Sequence, residues 1–321
     1  QMCIRDRLKD IDSDKPSLLA KWMPSINTSS KETREKAYWI SKIFGWDHKK
    51  YRKTLSNLRR KIEVVEQQMS ANQWPEIDYE RIPSQASRIY RDAFYRHDST
   101  RYCEYIKKVN EGKANINASV SFPYEIVRDI QNGNNKTLEA LWKNLPDYTE
   151  GREENSIVVC DTSGSMAGLP LNIAISLSIY FAERNKGEFK DYFITFSAVP
   201  QLQKIKGNTL YEKVYNLRAA NWSMNTNFQA VFDLILNRAI RKKLSQEDLP
   251  KKIYVISDME FDEASEGYST NFEDIERKFQ EAGYERPELV FWNVNSRNNQ
   301  SPITVDDRGV KLAVSYTHLT L

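Results

Sequence analysis

Five consecutive residues, Ser156-Ile157-Val158-Val159-Cys160, run straight into Asp161-Thr162-Ser163-Gly164-Ser165. A short, β-branched apolar run reads as a strand buried on both faces, the kind found in a parallel sheet covered by helices. The turn after it carries a carboxylate and two hydroxyls. In open α/β sheets, ligands bind outside the carboxyl ends of the strands. These oxygens are hard donors with no thiolate or imidazole among them, a set that suits Mg2+ or Mn2+ rather than Zn2+.

The periodicity downstream supports the same class. Residues 171–184 predict an amphipathic helix and 191–196 a strand, with 199–205 pairing beside it as an edge. Helices follow at 210–217, 228–241 and 272–282, strands at 253–257 and 289–294, and a last strand opens at 310–314. Strands alternating with helices predict a doubly wound, mostly parallel, Rossmann-like sheet. The first half is helical instead. Ser29-x-x-Glu32 offers a capping box for a helix with Ala37, Ile40, Ile43 and Phe44 inward. Asp47 caps a second helix, with one face of Tyr51, Leu55, Leu58, Ile62, Val65 and Met69 over five turns. Pro83 opens a third through Ile89, Ala93 and Phe94, and Asp98 caps a fourth that stops at Gly112. Residues 123–130 and 137–145 give two more. This pattern suits an α-solenoid or an irregular bundle, without a strict repeat. The polar stretch 146–155 is the expected linker, between a helical domain over 8–148 and an α/β domain over 152–314.

Composition narrows the partners. No apolar run approaches the ~18 residues of a membrane span. Cys3, Cys103 and Cys160 have no paired spacing, which fits a reducing, cytoplasmic setting rather than a disulfide framework. The net charge of +3 divides unevenly: residues 1–150 hold 27 Lys and Arg against 21 Asp and Glu, and residues 151–321 hold 20 against 23. A basic helical half beside a mildly acidic one points to a polyanion as one partner. Residues 1–7 and 314–321 resemble translated sequencing-adaptor sequence from metagenomic assemblies. The natural protein is therefore expected to continue past both, and they carry no functional reading.

A metal needs oxygens from several loops. After Asp161, Ser163 and Ser165, the second candidate loop is 221–227, Asn-Trp-Ser-Met-Asn-Thr-Asn, just before a helix. The third is 257–262, Ser-Asp-Met-Glu-Phe-Asp, just after a strand. The Asp-x-Ser-x-Ser order and the spacing of the three loops resemble the metal-ion-dependent adhesion site of von Willebrand factor A (vWA) domains. That resemblance implies Ser163, Ser165 and Thr226 as direct ligands, with Ser223 or Asn225 as the alternative to Thr226. Asp161 and Asp258 would support the ion from outside. It also implies Mg2+ with one open position, filled by an acidic residue of a protein partner, and a closing helix beyond 314. The alternative is that Asp161 and Ser163 only cap the next helix.

Enzymes fit less well. A serine hydrolase needs a histidine base, and His318 is the one histidine after Ser165. There is no Gly-x-Ser-x-Gly and no Walker A loop, since Gly133-Asn-Asn-Lys-Thr137 lacks the glycine before lysine. A metal-dependent phosphate-ester hydrolase using Asp161 stays as a lesser alternative.

Residues 31–60 hold ten Lys or Arg against three acids. Lys49, Lys50, Arg52, Lys53, Arg59 and Arg60 are the candidate phosphate contacts. Arg88, Arg91, Arg96 and Arg101, interleaved with Tyr90, Tyr95 and Tyr102, form a second concentration with rings that could stack on bases. The segments 59–74, Ile82-Pro83-Ser84 and 122–127 resemble a domain-of-unknown-function family that joins a helical region to a vWA-like domain. Its architecture is similar to that of the Ro ribonucleoprotein (TROVE plus vWA), which implies structured or single-stranded RNA at the helical domain. A protein scaffold without RNA is the other expectation.

Overall fold

The computed structural model describes residues 23–61, 64–133, 135–149, 155–197, 199–219, 227–258, 272–294 and 310–314. The chain sorts into two compact units, Gln1–Ile82 with Tyr90–Tyr105, and Pro83–Ile89 with Ile106–Leu321. The change from helices to a sheet falls between Lys143 and Ser156.

In the first unit, α1 (Lys31–Ile43) and α2 (His48–Lys61) pack on Met23, Ile26, Ala37, Tyr51 and Leu55. Ser30 rather than Ser29 caps α1, accepting from the Thr33 N–H. Asp47 caps α2 as the sequence predicts, accepting from the Lys50 N–H at 2.6 Å. The expected five-turn helix is two: α2 ends at Lys61, and α3 (Val65–Ser70) begins after an extended Val64. Ile62 lies outside the described residues. The stripe prediction also fails at Ile43, which is exposed, as is Ile89. Next come α4 (Ser84–His97), which spans the two units, and α5 (Ser99–Asn110), where Gly112 adopts a positive φ and stops the helix. Within the first unit Tyr79, Phe94, Tyr102 and Tyr105 form an aromatic core.

The second unit holds α6 (Pro123–Ile130), α7 (Lys136–Lys143) and a six-stranded sheet. The strands are β1 (Ser156–Cys160), β2 (Tyr192–Thr195), β3 (Leu202–Lys204), β4 (Lys252–Ser257), β5 (Glu288–Asn293) and β6 (Val310–Val314). Their order is β3-β2-β1-β4-β5-β6, all parallel except β3, which runs antiparallel to β2. Helices cover both faces. On one, α10 (Phe228–Lys242) and α11 (Phe272–Glu281) bury Val231, Phe232, Ile235, Ile275 and Phe279 against Ile157, Val159, Ile253, Val255 and Phe291. On the other lies α8 (Leu169–Arg184), whose Phe181 stacks on Tyr254 at 4.9 Å.

The expected amphipathic character of α8 is not what the structure shows. The helix is buried almost all round, because α6, α7 and α9 (Leu210–Arg218) form a further layer over it. The polar residues in its interior are satisfied locally: Ser176 Oγ donates to the Ile173 carbonyl and Ser178 Oγ to that of Ala174. On the outer side Asn172 accepts from Gln131, Tyr180 donates to the Pro146 carbonyl, and Glu183 accepts from Trp142 and Lys213.

Candidate functional site

The chain leaves β1 toward β2 on one side and returns to β4 on the other. The carboxyl ends of β1 and β4 are thus the point where the winding reverses, the place where doubly wound sheets bind ligands. Register puts Cys160 beside Ile256, so the residues just beyond, Asp161 and Ser257, face each other across the strand pair. Asp161 is 2 % exposed, and both of its oxygens are occupied. Oδ1 accepts the Ser163 N–H at 2.8 Å, and Oδ2 accepts the Ser257 hydroxyl at 2.6 Å. Asp258, also buried, follows at once. Burial raises the Asp161 carboxyl above its ordinary range and the charge of Asp258 adds to the rise, while the Ser257 and Ser163 hydrogen bonds pull the other way.

The turn after Asp161 is short and pinned. Ser163 begins a single 3-10 turn, Gly164–Met166, anchored by the fully buried Met166. This brings Ser163 Oγ and Ser165 Oγ to 3.1 Å of each other. Octahedral Mg2+ at ~2.0–2.1 Å from its oxygens places neighbouring ligands about 2.9 Å apart. The two hydroxyls therefore fit adjacent positions around such an ion, with Asp161 holding the backbone of one of them.

Of the second loop, Asn227 is described. Thr226, and with it Ser223 and Asn225, lies outside the described residues. Its neighbour Asn227 caps α10 and donates its N–H to the Ser197 carbonyl at 3.4 Å, just past β2 on the same edge of the sheet. Of the third loop, Asp258 is described and 259–262 is not. Among the described residues, no group of three or more His, Cys, Asp or Glu side chains could hold a metal. The donor set here is of a different kind, two hydroxyls backed by carboxylates. Sequence reasoning gave Ser257 no role. Nothing local marks it, since its place opposite Asp161 depends on β1 and β4 being neighbours in the sheet.

The basic residues fall into two groups. Lys49, Lys50, Arg52, Lys53 and Arg60 are exposed on α2, a helix with seven Lys and Arg and no Asp or Glu. Helical spacing puts Lys49, Lys53 and Arg60 on one outer row, with Arg52 on the flank. Lys50 lies over the Trp46 ring. Arg59 is different: half-buried, it donates to the Met23 carbonyl at 2.8 Å, and burial lowers its pKa. The second concentration is mostly structural. Arg88 is buried and Tyr102 is core, while Tyr90 donates to Glu66 and Arg101 to the carbonyls of Trp74 and Ile77. Tyr95 stays exposed, and so does Arg96.

A helical region leading into a mostly parallel α/β sheet, with polar residues gathered at the point where the winding reverses, defines the class. The chain belongs to the family described as Domain of unknown function (DUF7788), whose model matches residues 155–321. A second model, Domain of unknown function (DUF2828), matches residues 47–157. The chain is similar to "Uncharacterized protein L728" of Acanthamoeba polyphaga mimivirus, 33% identical over 315 residues. That match covers 91% of this chain and 55% of the viral protein, so the chain spans little more than half the length of this relative. Among the described residues, no helix is long and apolar enough to cross a membrane.

Proposed function

We propose that this is a binding protein of the vWA type, in which a Mg2+ or Mn2+ ion at the β1–β4 edge recruits an acidic residue of a protein partner. The observation that carries this reading is the pairing of the Ser163 and Ser165 hydroxyls at 3.1 Å directly above a buried, doubly hydrogen-bonded Asp161. Ser163 and Ser165 would hold the ion, with Thr226 from the second loop, and Asp161 and Asp258 would support it. A divalent ion held mainly by neutral hydroxyls keeps its charge for an incoming carboxylate. The state of Asp161 supports binding over turnover. With both oxygens engaged and no exposed face, it is poorly placed to attack a phosphate ester. Cys103 and Cys160 are free, which suits a reducing compartment.

Calorimetric titration with Mn2+ tests the site. Asp161→Asn and Asp258→Asn should each weaken binding about 10–100-fold, the usual cost of losing an outer-shell partner. Unchanged affinity in both variants would remove the assignment. Asp161→Asn also carries a stability signature. The folded state holds the Asp161 proton more tightly than the unfolded chain, so metal-free stability from this group falls as pH rises through and above the ordinary carboxylate range. Thermal melts without metal should therefore show the variant gaining on wild type as pH rises above the ordinary carboxylate range. A constant gap would contradict the buried, raised carboxyl.

For the helical unit, the exposed cations of an acid-free α2 favour RNA as a second ligand. If Lys49 and Lys53 each neutralise a phosphate, log affinity against log salt should have a slope of about −0.7 per contact on single strands. Lys49→Glu with Lys53→Glu should flatten it by about 1.4 and leave Mn2+ binding unchanged. A slope indifferent to both substitutions would leave the protein-scaffold reading ahead.

A further inference from the structure

We infer that the α1–α2 hairpin is a platform for unpaired nucleic acid, on which the Tyr38–His48 pair takes a base while Lys49, Arg52 and Lys53 hold the adjoining phosphates. This rests on the reading of α2 as an RNA contact and adds to it the form of the strand and the residues that read it. Tyr38, on the flank of α1, reaches across the seam to the head of α2. There its ring stacks on His48 with centroids 4.6 Å apart and planes 23° apart. Both rings are open to solvent, Tyr38 by 38 %. Beside them on α1, Trp39 is 62 % exposed and Ile43 42 %.

Charge identifies the occupant. Arg52 lies one turn beyond His48 on the same flank of α2, and Lys49 and Lys53 are one turn apart on the adjoining outer row, about 6 Å along the axis. An aromatic plane with cations on its margin matches a base with its phosphates, because every base has a π-face and every link a negative charge. A duplex hides its base faces and would use only the cations. An acidic peptide would likewise use only the cations, with no need of a stacked pair. The tyrosine-rich stretch 90–102, the stacking surface expected from sequence, has Tyr102 in the core and the Tyr90 hydroxyl bound to Glu66. Tyr95 and Arg96 stay exposed there, whereas the Tyr38–His48 pair sets two stacked open rings beside the exposed Lys49, Arg52 and Lys53.

The test uses the full chain and fluorescence anisotropy with four probes across salt: a short oligoadenylate, an abasic strand of the same length, a short RNA duplex and polyglutamate. Oligoadenylate should bind about tenfold or more tighter than the abasic strand, which carries the same charge without bases. Tyr38→Ala and His48→Ala should each erase most of that preference and leave the salt slope intact. Tyr38→Phe, which keeps the ring, should retain it and guards against a folding artefact. Lys49→Glu with Lys53→Glu should weaken both strands and lower the slope. Equal affinity for oligoadenylate and the abasic strand would overturn the stacking inference while the phosphate reading of α2 survives. Salt-sensitive binding to none of the nucleic acids would overturn both. Tighter binding of polyglutamate than of oligoadenylate would replace the nucleic acid with an acidic protein.

Discussion

A chain shortened to begin at Asn155, where the DUF7788 match starts, should fail to give a cooperatively folded domain, whereas one beginning at Pro83 should fold. The reason is α8. Its outer row of Asn172, Ser176, Ile179, Tyr180 and Glu183 would face water in the shorter chain. In the intact unit Ile179 and Tyr180 are fully buried, and Asn172, Tyr180 and Glu183 bond to Gln131, Pro146 and Trp142. Exposing a large apolar side chain costs about 1.5–3 kcal/mol. Two or three of them on α8 would consume a large part of a net stability of about 5–15 kcal/mol. The damage extends to α9. Glu139 on α7 accepts the N–H groups of Leu210 and Tyr211 at 2.6 and 3.4 Å, fixing the start of α9. Circular dichroism melts and dye binding on both shortened chains check the expectation. A shortened chain that is monomeric and melts within a few degrees of the longer one would show that α6 and α7 are ornament to the sheet rather than part of it.

The same helices show where sequence stops being informative. The boundaries of β1, β2, β4, β5, α6 and α10 follow from local signals: β-branched runs, proline at a helix start, alternation of type. What α8 touches does not. Its segment is nearly continuous in apolar residues, and its two serines bond to carbonyls of the helix itself. Periodicity then cannot tell a helix with one covered face from one covered on both. The break between α2 and α3 fell between residues that keep the helical stripe in phase, so the stripe alone predicted continuity. At the candidate site, Asp161, Ser163, Ser165 and Asp258 were legible because each follows a strand that reads clearly. The partnership of Ser257 with Asp161 depends on which strands are neighbours, a fact of sheet order that no local window contains. The basic residues show the converse. Composition grouped Arg59 with the solvent-facing cations of α2 and Arg88 with the second basic concentration, while tertiary structure set both to work inside.

Arg88→Ala should be the most damaging single substitution outside the apolar core. Its guanidinium donates to Asp129 Oδ2 at 2.7 Å and to Glu125 Oε1 at 3.0 Å, joining the first turns of α4 to α6 within the sheet-bearing unit. The three side chains are only 7, 15 and 14 % exposed. Removing one member of a buried ion cluster strands the others, at a typical cost of about 3–5 kcal/mol. Here the lower end applies, because Asp129 keeps Arg128 at 3.0 Å and Glu125 keeps the Gln85 amide at 2.7 Å. About 3 kcal/mol corresponds to a melting temperature lower by roughly 6–12 °C for a unit of this size. Replacing the cluster as a whole, Arg88→Met with Glu125→Gln and Asp129→Asn, should recover most of the loss, since no buried charge is then left unpaired and Arg128, which loses Asp129, is half exposed. A thermal double-mutant cycle separates the pair energies. The salt dependence of RNA binding supplies the second readout. If Arg88 serves the fold, Arg88→Ala lowers the melting temperature and leaves the slope alone. A flattened slope with an unchanged melting temperature would return Arg88 to the nucleic-acid surface that the sequence first suggested.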